Sequence, residues 1–246
     1  MRLLPPQERG TGEGRRVVMR KPHGVVVGIV PWNAPIILSM TKVAPALLSG
    51  NAIILKPSPL APLCLTQMFR AIAQGLPEGL LTVVNGDADV GEALLSAPQV
   101  AKLAFTGGPS VGRAVLAKAA ERFLPCTLEL GGNDPLVILD DFEMDQQQIE
   151  SILWATFLNA GQVCMAAKRL YVHDSLLARF IDAYTSIARA TFCMGDPLGS
   201  ATNIGPVISA SARDHMNFLA AEAEGRGGTL ISLLDPQRRA ALDGNG

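Results

Sequence analysis

Short apolar runs alternate with amphipathic segments along the first half of the chain. The runs at 25–30 (VVVGIV) and 52–56 (AIILK) have the composition of strands that are covered on both faces. Shorter runs follow at 81–84 and 101–106, and helical spacing predicts helices at about 35–48, 62–74, 89–96 and 110–121. Buried strands that alternate with helices over short connections predict an α/β fold with a parallel sheet and right-handed crossovers. Ligands of such sheets bind at the carboxyl ends of the strands.

A second series of elements begins after the strand and double glycine at 127–133 (TLELGGN). An apolar run at 135–140 opens it, and the next helix places one apolar face along Ile149, Ile152, Leu153 and Phe157. A strand at 168–174 and helices at about 176–190 and 210–224 complete the pattern.

These patterns divide the chain. We expect a flexible lead-in at 1–16, because two prolines and several glycines interrupt it. One domain is expected at 17–130 and a partial second domain at 131–246, with an irregular tail from about 229.

The composition excludes several classes of partner. Lysine and arginine total 21 against 22 aspartates and glutamates, so the net charge of −1 favours neither nucleic acid nor an anionic membrane surface. No run of ~18 apolar residues and no apolar leader segment occur, so we expect neither a membrane span nor a signal peptide. The mean hydropathy of +0.27 is high for a monomer and suggests surface that another chain or segment covers. Small molecules or other protein chains are therefore the expected partners.

The four cysteines, at 64, 126, 164 and 193, lie far apart in the sequence. They form no Cys-x-x-Cys pair and no cluster with histidine, so we expect neither a metal site nor a disulfide framework. Reduced thiols in the cytoplasm are the expectation.

Cys164 ends the string NAGQVC (159–164), which connects the amphipathic helix to the strand at 168–174. Gly161 allows a close approach or a positive φ there, so the cysteine can be presented in a cleft, where a nucleophilic thiol is useful. The alternative is that Cys164 is a small buried hydrophobic residue, as many cysteines are.

Three further polar residues fall at strand ends or in loops: Asn33 in PWNAP, Lys56 in KPS and Glu129 in LELGG. Together with FTGG at 105–108 and NAGQVCMA at 159–166, these strings resemble those of the aldehyde dehydrogenase family and stand in that family's order. The resemblance covers the chain from about Val17 to Ala223. It implies a parallel Rossmann-like sheet with helices on both faces as an NAD(P)-binding domain (17–130), plus an incomplete α/β catalytic domain (131–246).

The resemblance also implies catalytic roles. Cys164 would be the nucleophile whose thiolate adds to an aldehyde carbonyl, and the amide of Asn33 would stabilise the resulting oxyanion together with the Cys164 backbone N–H. Glu129 would be the general base that activates water to release a carboxylic acid. Without the family context, a structural ion pair is an alternative for Glu129, which stands between two leucines.

The implied cofactor is NAD or NADP. Lys56 would reach the adenosine ribose, and the glycines of FTGG would meet the pyrophosphate at a helix N-terminus. The cofactor-binding residues implied by the resemblance are Val30, Pro31, Trp32, Asn33, Lys56, Gly107, Gly108, Val111 and Leu130. Without the neighbouring motif, the favoured interpretations would be a solvated surface lysine for Lys56 and a packing residue for Trp32.

The sequence departs from the family in two respects. Many NAD-using members carry a glutamate three residues after the lysine, where this chain has Pro59, so NADP is also admitted. The chain also has about half the length of a family member, and the family's oligomerisation elements are missing from it, although family members are homo-oligomers. Two hypotheses follow: an NAD(P)-dependent aldehyde dehydrogenase, or a truncated and inactive relative that at most binds a cofactor or a partner. A nucleic-acid-binding module ranks third, because no basic stripe occurs.

Overall fold

The computed structural model describes residues 7–11 and 14–238. The chain forms two compact units, Met1–Gly131 and Gly132–Gly246. The strands are β1 (Gln7–Thr11), β2 (Gly14–Val18), β3 (Val25–Ile29), β4 (Ala52–Lys56), β5 (Leu81–Val83), β6 (Val100–Thr106), β7 (Cys126–Glu129), β8 (Asp134–Ile138) and β9 (Ala167–Val172). The helices are α1 (Pro35–Leu48), α2 (Leu63–Gln74), α3 (Ala88–Ser96), α4 (Pro109–Ala120), α5 (Gln146–Phe157), α6 (Leu177–Thr191) and α7 (Ala210–Gly225).

The first unit is built on a five-stranded parallel sheet with the order β5-β4-β3-β6-β7. The chain runs outward from β3 through β4 to β5 and then returns to the other side of β3 to form β6 and β7. The strand order therefore reverses between β3 and β6. In open parallel sheets this reversal leaves a crevice at the carboxyl ends of the two strands, which is the usual place for a ligand.

Helices cover both faces of this sheet. On one face Val43 of α1 and Phe69 of α2 pack against Val26 and Ile53, and on the other face Leu95 of α3 and Ala119 of α4 pack with a second group of strand residues. The consecutive residues Val26 and Val27 face opposite cores, as the two-residue period of a strand requires. The predicted α/β class, with a parallel sheet and helices on both faces, is confirmed.

The second unit has a smaller sheet in which β8 and β9 pair in parallel. Its core contains Ile149 and Leu153 of α5 together with Phe180 and Ala188 of α6. The 3₁₀ turn Leu158–Gly161 and a short loop connect α5 to β9 and carry Cys164. The order of strand, helix and strand predicted for 135–174 is therefore present.

The N-terminal segment differs from its predicted form as a lead-in. β1 and β2 form an antiparallel hairpin in which Gln7 pairs with Val18 and Thr11 with Gly14. Antiparallel pairing of this kind is held by backbone hydrogen bonds, so the glycines within the two strands are compatible with it. Residues 1–6 and 12–13 lie outside the described residues.

The C-terminal segment from 229 to 235 contains neither helix nor strand. Residues 239–246 of the predicted irregular tail lie outside the described residues. Over the part of the chain that the structure describes, no helix is both long and apolar enough to cross a membrane.

Candidate functional site

The carboxyl ends of four neighbouring strands bring most of the predicted cofactor residues together. Lys56 ends β4 and Glu129 ends β7, while the glycine pair 107–108 follows β6 directly. Val30 follows β3, is buried, and donates its N–H to the Lys56 carbonyl over 3.1 Å. Pro31, Trp32 and Asn33 are half-buried in the connection from β3 to α1. The first unit therefore gathers these side chains at one edge of its sheet.

Lys56 is buried, with 5% of its surface exposed. Its stem packs near α3, where a Cβ on Gly91 would lie 3.9 Å from Lys56 Cε. Among the described residues, none accepts a hydrogen bond from the Lys56 ammonium or forms an ion pair with it. Burial lowers the pKa of Lys56, and the negative charges of Asp87 and Asp89 oppose that shift. Partial loss of water around a charged ammonium costs free energy, so a ligand in the cavity that supplies oxygen atoms would stabilise it.

A cavity of about 650 Å³ lies beside Lys56, between α3 and α4. Ile29, Gly91 and Phe105 supply apolar lining, and Val111 of the predicted set also lines it. This volume falls within the usual range for small-molecule sites of ~300–1,000 Å³. The apolar walls suit a flat ring system, and Lys56 adds a polar group at one side.

Acidic side chains at this cavity were not anticipated from the sequence. Asp87 and Glu92 line the cavity together with Lys56, and Asp87 acts electrostatically on the Lys56 ammonium. The signal was present in the string DADVGE, which begins three residues after the strand at 81–83, at the N-cap of α3. Acidic groups beside a lysine suit the hydroxyl groups of a ribose, which can donate to a carboxylate.

The two glycines before α4 have different roles. The Gly107 N–H donates to the Glu129 carbonyl over 3.1 Å, and a Cβ on Gly107 would lie 2.6 Å from the Phe105 ring. Gly108 is the N-cap of α4, and a Cβ there would meet no atom within 4 Å. Because Pro109 has no N–H, the helix N-terminus offers an anion the amides of Gly108, Ser110 and Val111. The Gly107 amide, expected to reach a pyrophosphate, is used within the sheet.

Leu130, which directly follows β7, packs against the first turn of α4. A Cβ on Gly112 would lie 2.5 Å from Leu130 Cδ2, so the small residue in the helix lets the leucine approach. Leu130 thus lies beside the first turn of α4, next to the glycine pair. Its side chain is partly exposed, as a residue that contacts a ligand must be.

Glu129 is exposed and lines a second cavity, of about 420 Å³, which Lys42 of α1 also lines. Lys42 is 9% exposed, and its ammonium donates to Thr106 Oγ1 over 2.5 Å. Burial lowers the pKa of Lys42, while the negative charge of Glu129 raises it. A buried cation therefore stands close enough to influence the predicted general base.

Lys42 was missed by the sequence analysis, although a signal existed. Its spacing from Ser39, Val43 and Ala46 is that of one helical face, and all four residues are buried. A lysine on the buried face of a helix requires a partner, and that requirement was visible in the sequence.

Cys164 belongs to the second unit, where it is exposed. The turn before it contains three consecutive residues with positive φ, namely Asn159 (55°), Ala160 (55°) and Gly161 (74°). Positive φ is easy for glycine and costs an alanine of order 1–3 kcal/mol, so the surrounding structure must hold this turn in place. After this turn Cys164 lies outside the core that α5 helps to form, and its side chain is exposed. The alternative of a buried hydrophobic residue is therefore excluded for Cys164.

Of the other cysteines, Cys64 is exposed, and Cys126 and Cys193 are half-buried. Cys64, Cys126 and Cys193 are free, and burial raises the pKa of the Cys126 thiol. Among the described residues, no group of three or more histidine, cysteine and acidic side chains is placed to hold a metal ion.

Comparison with known proteins places these features in context. A model described as "Aldehyde dehydrogenase family" matches residues 5–243. The chain is 37% identical over 231 residues to the mitochondrial succinate-semialdehyde dehydrogenase of Arabidopsis thaliana, and the match covers 93% of this chain and 43% of the relative. It is 38% identical over 216 residues to the chloroplastic betaine aldehyde dehydrogenase of Beta vulgaris, with 87% and 43% covered. The chain thus spans less than half the length of these curated relatives.

Solved structures agree in fold. The Mycobacterium tuberculosis aldehyde dehydrogenase complexed with NAD+ superimposes with a TM-score of 0.88 at 37% identity, covering 92% of this chain and 47% of that structure. An E. coli NADP dependent enzyme gives a TM-score of 0.87 at 35% identity, with 93% and 48% covered. The resemblance predicted from the sequence motifs is therefore confirmed.

Proposed function

We propose that this chain, which belongs to the aldehyde dehydrogenase family, carries the cofactor site and the reactive residues for NAD(P)-dependent oxidation of a small aldehyde to a carboxylic acid. The observation that carries the proposal is Lys56, which is 5% exposed, has an ammonium without an acceptor among the described residues, and lines a cavity of about 650 Å³ at the carboxyl edge of the sheet. A cavity of this kind, at the point where the strand order reverses, suits a dinucleotide.

The residues present fit NAD or NADP. Lys56 would hold ribose oxygens, the apolar walls with Val111 would take the adenine, and the first turn of α4 after Gly107 and Gly108 would meet the phosphates. Val30, Pro31, Trp32, Asn33 and Leu130 would complete the binding residues. When bound, the nicotinamide supplies the acceptor for a hydride. The exposed Pro59 places no carboxylate against a 2′-phosphate, so both cofactors remain in the proposal.

The proposed chemistry begins at Cys164. Its thiolate adds to the aldehyde carbon, so a C–S bond forms and the carbonyl electron pair moves onto oxygen. The Cys164 backbone N–H and the Asn33 side-chain amide donate hydrogen bonds to that oxyanion in our proposal. Loss of hydride from the same carbon converts the adduct to a thioester on Cys164.

Release of the acid requires an activated water. Glu129 takes a proton from water, the water oxygen adds to the thioester carbon, and the C–S bond breaks to return the Cys164 thiolate. Lys42 lies close enough to Glu129 for the negative charge of the carboxylate to raise the pKa of the lysine against the effect of burial. An aldehyde is therefore the proposed small-molecule partner, and a cytoplasmic location with reduced thiols is part of the same proposal.

The second candidate is a catalytically inactive remnant that binds a cofactor or a partner. The observation that favours it is length, because the chain covers only 43% of its curated relatives. A cofactor site that lies within the first unit is compatible with both candidates, whereas turnover supports only the first.

Thermal unfolding of the 246-residue chain with NAD and with NADP tests the cofactor site. Binding stabilises the folded state by ~2.7 kcal/mol at 100-fold excess over Kd, so at least one of the two cofactors should raise the Tm. Lys56→Met should weaken that cofactor by roughly 10- to 100-fold, since a hydrogen bond from a charged group contributes ~1.5–3 kcal/mol. The matched control is Arg70→Met, which removes an exposed cation from α2 and should leave the shift unchanged. A cooperative melt that neither cofactor shifts would contradict the proposal.

A further inference from the structure

The loop that carries Cys164 is held by a single lysine. The Lys168 ammonium donates to the carbonyl oxygens of Val163 (2.8 Å), Cys164 (2.8 Å) and Ala166 (3.4 Å). A lysine ammonium has three N–H donors, and here three backbone oxygens of one loop accept them. The cation is therefore fixed beside the loop even though the lysine side chain is exposed.

The contact to Val163 determines the direction of the next amide. In a planar trans peptide the C=O and the following N–H point in opposite directions. The described residues contain no cis peptide bond. Because Lys168 draws the Val163 carbonyl toward itself, the Cys164 N–H must point away from Lys168. That N–H is the backbone donor proposed for the oxyanion.

The Cys164 carbonyl is confined from a second side. A Cβ on Gly132 would lie 2.6 Å from this oxygen, a distance that real Cβ contacts do not show. The glycine thus lets the Cys164 carbonyl approach the backbone just before β8, while Lys168 donates to the same oxygen. The Val163 carbonyl before the Cys164 N–Cα bond and the Cys164 carbonyl after it are thus both held in place. The backbone at Cys164 therefore has little freedom to rotate about φ and ψ.

We propose that Lys168 is a positioning residue, whose contacts with the Val163 and Cys164 carbonyls aim the Cys164 backbone N–H at the oxyanion that forms on the substrate. This inference rests on the proposed function, since it requires Cys164 to attack a carbonyl. Lys168 touches neither substrate nor cofactor in this role. It acts through the peptide units before and after the nucleophile.

Two reactions of the Cys164 thiol distinguish orientation of the backbone N–H by Lys168 from a general stabilisation of the loop. One reaction forms an oxyanion and the other does not. With p-nitrophenyl acetate the Cys164 thiolate adds to the acyl carbon, an oxyanion forms and collapses, and the C–O bond to p-nitrophenolate breaks while the thiol proton goes to solvent. With iodoacetamide a C–S bond forms as iodide leaves, and no oxyanion arises. Neither reaction requires a cofactor, and both can be followed on the full chain. Acylation is measured as the first-turnover burst of p-nitrophenolate, before Glu129 hydrolyses the acetyl thioester, and peptide mass spectrometry distinguishes Cys164 from the other cysteines in both reactions.

Lys168→Met should slow acylation of Cys164 by at least ~10-fold, which is below the 10²–10³-fold cost of removing an oxyanion donor outright because the N–H remains but is no longer aimed. Alkylation by iodoacetamide should stay within about 2-fold, since it forms no oxyanion. Lys168→Arg, which restores a cation with several N–H donors, should recover most of the acylation rate. The control is Arg179→Met, which removes an exposed cation from α6 and should change neither rate.

Equal losses in the two rates, or no loss in either, would overturn the inference while leaving the nucleophile in place. If Lys168→Met does not fold, the same two rates are compared in Lys168→Ala, which likewise removes every donor to the three carbonyls, and the same criterion applies. Absence of Cys164 acylation in the parent chain would overturn the nucleophile of the proposed function, and this inference with it. A parent chain that is acylated but shows no thermal shift with NAD or NADP would contradict the cofactor site alone.

Discussion

The first unit contains two buried lysines, Lys42 and Lys56, which differ in the hydrogen-bond acceptors near their ammonium groups. Lys42 donates to Thr106 and stands near the charge of Glu129, whereas Lys56 is without an acceptor among the described residues and lines the larger cavity. Burial lowers the pKa of both side chains. Each therefore costs free energy in the folded protein when charged, which is typical of residues that are kept for binding or chemistry.

Lys42→Met should stabilise the protein at neutral pH. The folded-state pKa of Lys42 lies below its unfolded value of 10.5, so burial of the protonated lysine opposes folding. In the parent chain this cost is fully present below the folded pKa and disappears as the pH rises through that value toward 10.5. The gain in the free energy of unfolding should therefore be larger at pH 7 than near pH 10, as urea titrations at the two pH values would measure. A variant that is less stable than the parent at pH 7 would show that the bond to Thr106 outweighs burial.

Glu129→Gln separates the two halves of the proposed reaction. The variant keeps Cys164, so one equivalent of reduced cofactor should form in a burst and turnover should then stop at the thioester, because no carboxylate activates water. Stopped-flow absorbance of the reduced nicotinamide measures the burst, and Cys164→Ser serves as the control that should give none. A steady-state rate in Glu129→Gln equal to that of the parent would remove Glu129 from the deacylation step.

At the scale of elements, α5 and α7 differ in how they are supported. α5 has an Asp145 N-cap that accepts from the Gln148 N–H over 2.7 Å, and its Ile149 and Leu153 are fully buried. α7 also has a capping residue, Ser209, but contains no buried residue, and its Phe218 is 63% exposed. Most helices in proteins depend on tertiary packing for their stability, and α7 has little of it in this chain.

Hydrogen exchange should reflect this difference. Backbone amides of α7 should exchange at least ~10-fold faster than those of α5, because a helix without buried apolar contacts opens locally without global unfolding. Exchange followed by mass spectrometry, with peptides that cover each helix separately, provides the measurement. Equal protection of the two helices would mean that α7 is covered in solution by a surface of another molecule.

On the scale of the whole molecule, many large apolar side chains face solvent. They occur in both units and include Phe123 at 93%, Leu198 at 92%, and Val137 and Leu139 at about 60% exposure. A net charge of −1 supplies almost no repulsion between copies. Exposed apolar surface together with low charge favours self-association.

The purified chain should therefore associate in a concentration-dependent manner at neutral pH. Sedimentation velocity over a 100-fold range of concentration (roughly 1–100 μM) should show a rising weight-average sedimentation coefficient. Added salt should not dissociate the species, since apolar contact and not ion pairing drives the association. A single monomeric species at all concentrations would contradict this expectation.

Much of the fold was predictable because the spacing of apolar residues within each segment is that of a strand or a helix. The two-residue and 3.6-residue spacings of apolar side chains gave the strands and helices from α1 to α7, and strand ends with polar residues pointed to Lys56 and Glu129. The hairpin of β1 and β2 was not predicted, since its pairing depends on backbone hydrogen bonds that leave no apolar period.

The sequence by itself determined the class of fold, the family, and the candidate residues at the strand ends, because each depends on neighbours within one element or on a short string. Only the tertiary structure decided which residues from different elements lie in contact with one another. The bond from Lys42 to Thr106 joins residues 64 positions apart, and the position of Asp87 near Lys56 depends on how α3 packs over the sheet. The loop that carries Cys164 is short, yet its positive φ values and its three carbonyls around Lys168 follow no periodic pattern. Such a backbone path is set by packing of the surrounding elements, and only that packing reveals which way the Cys164 N–H points.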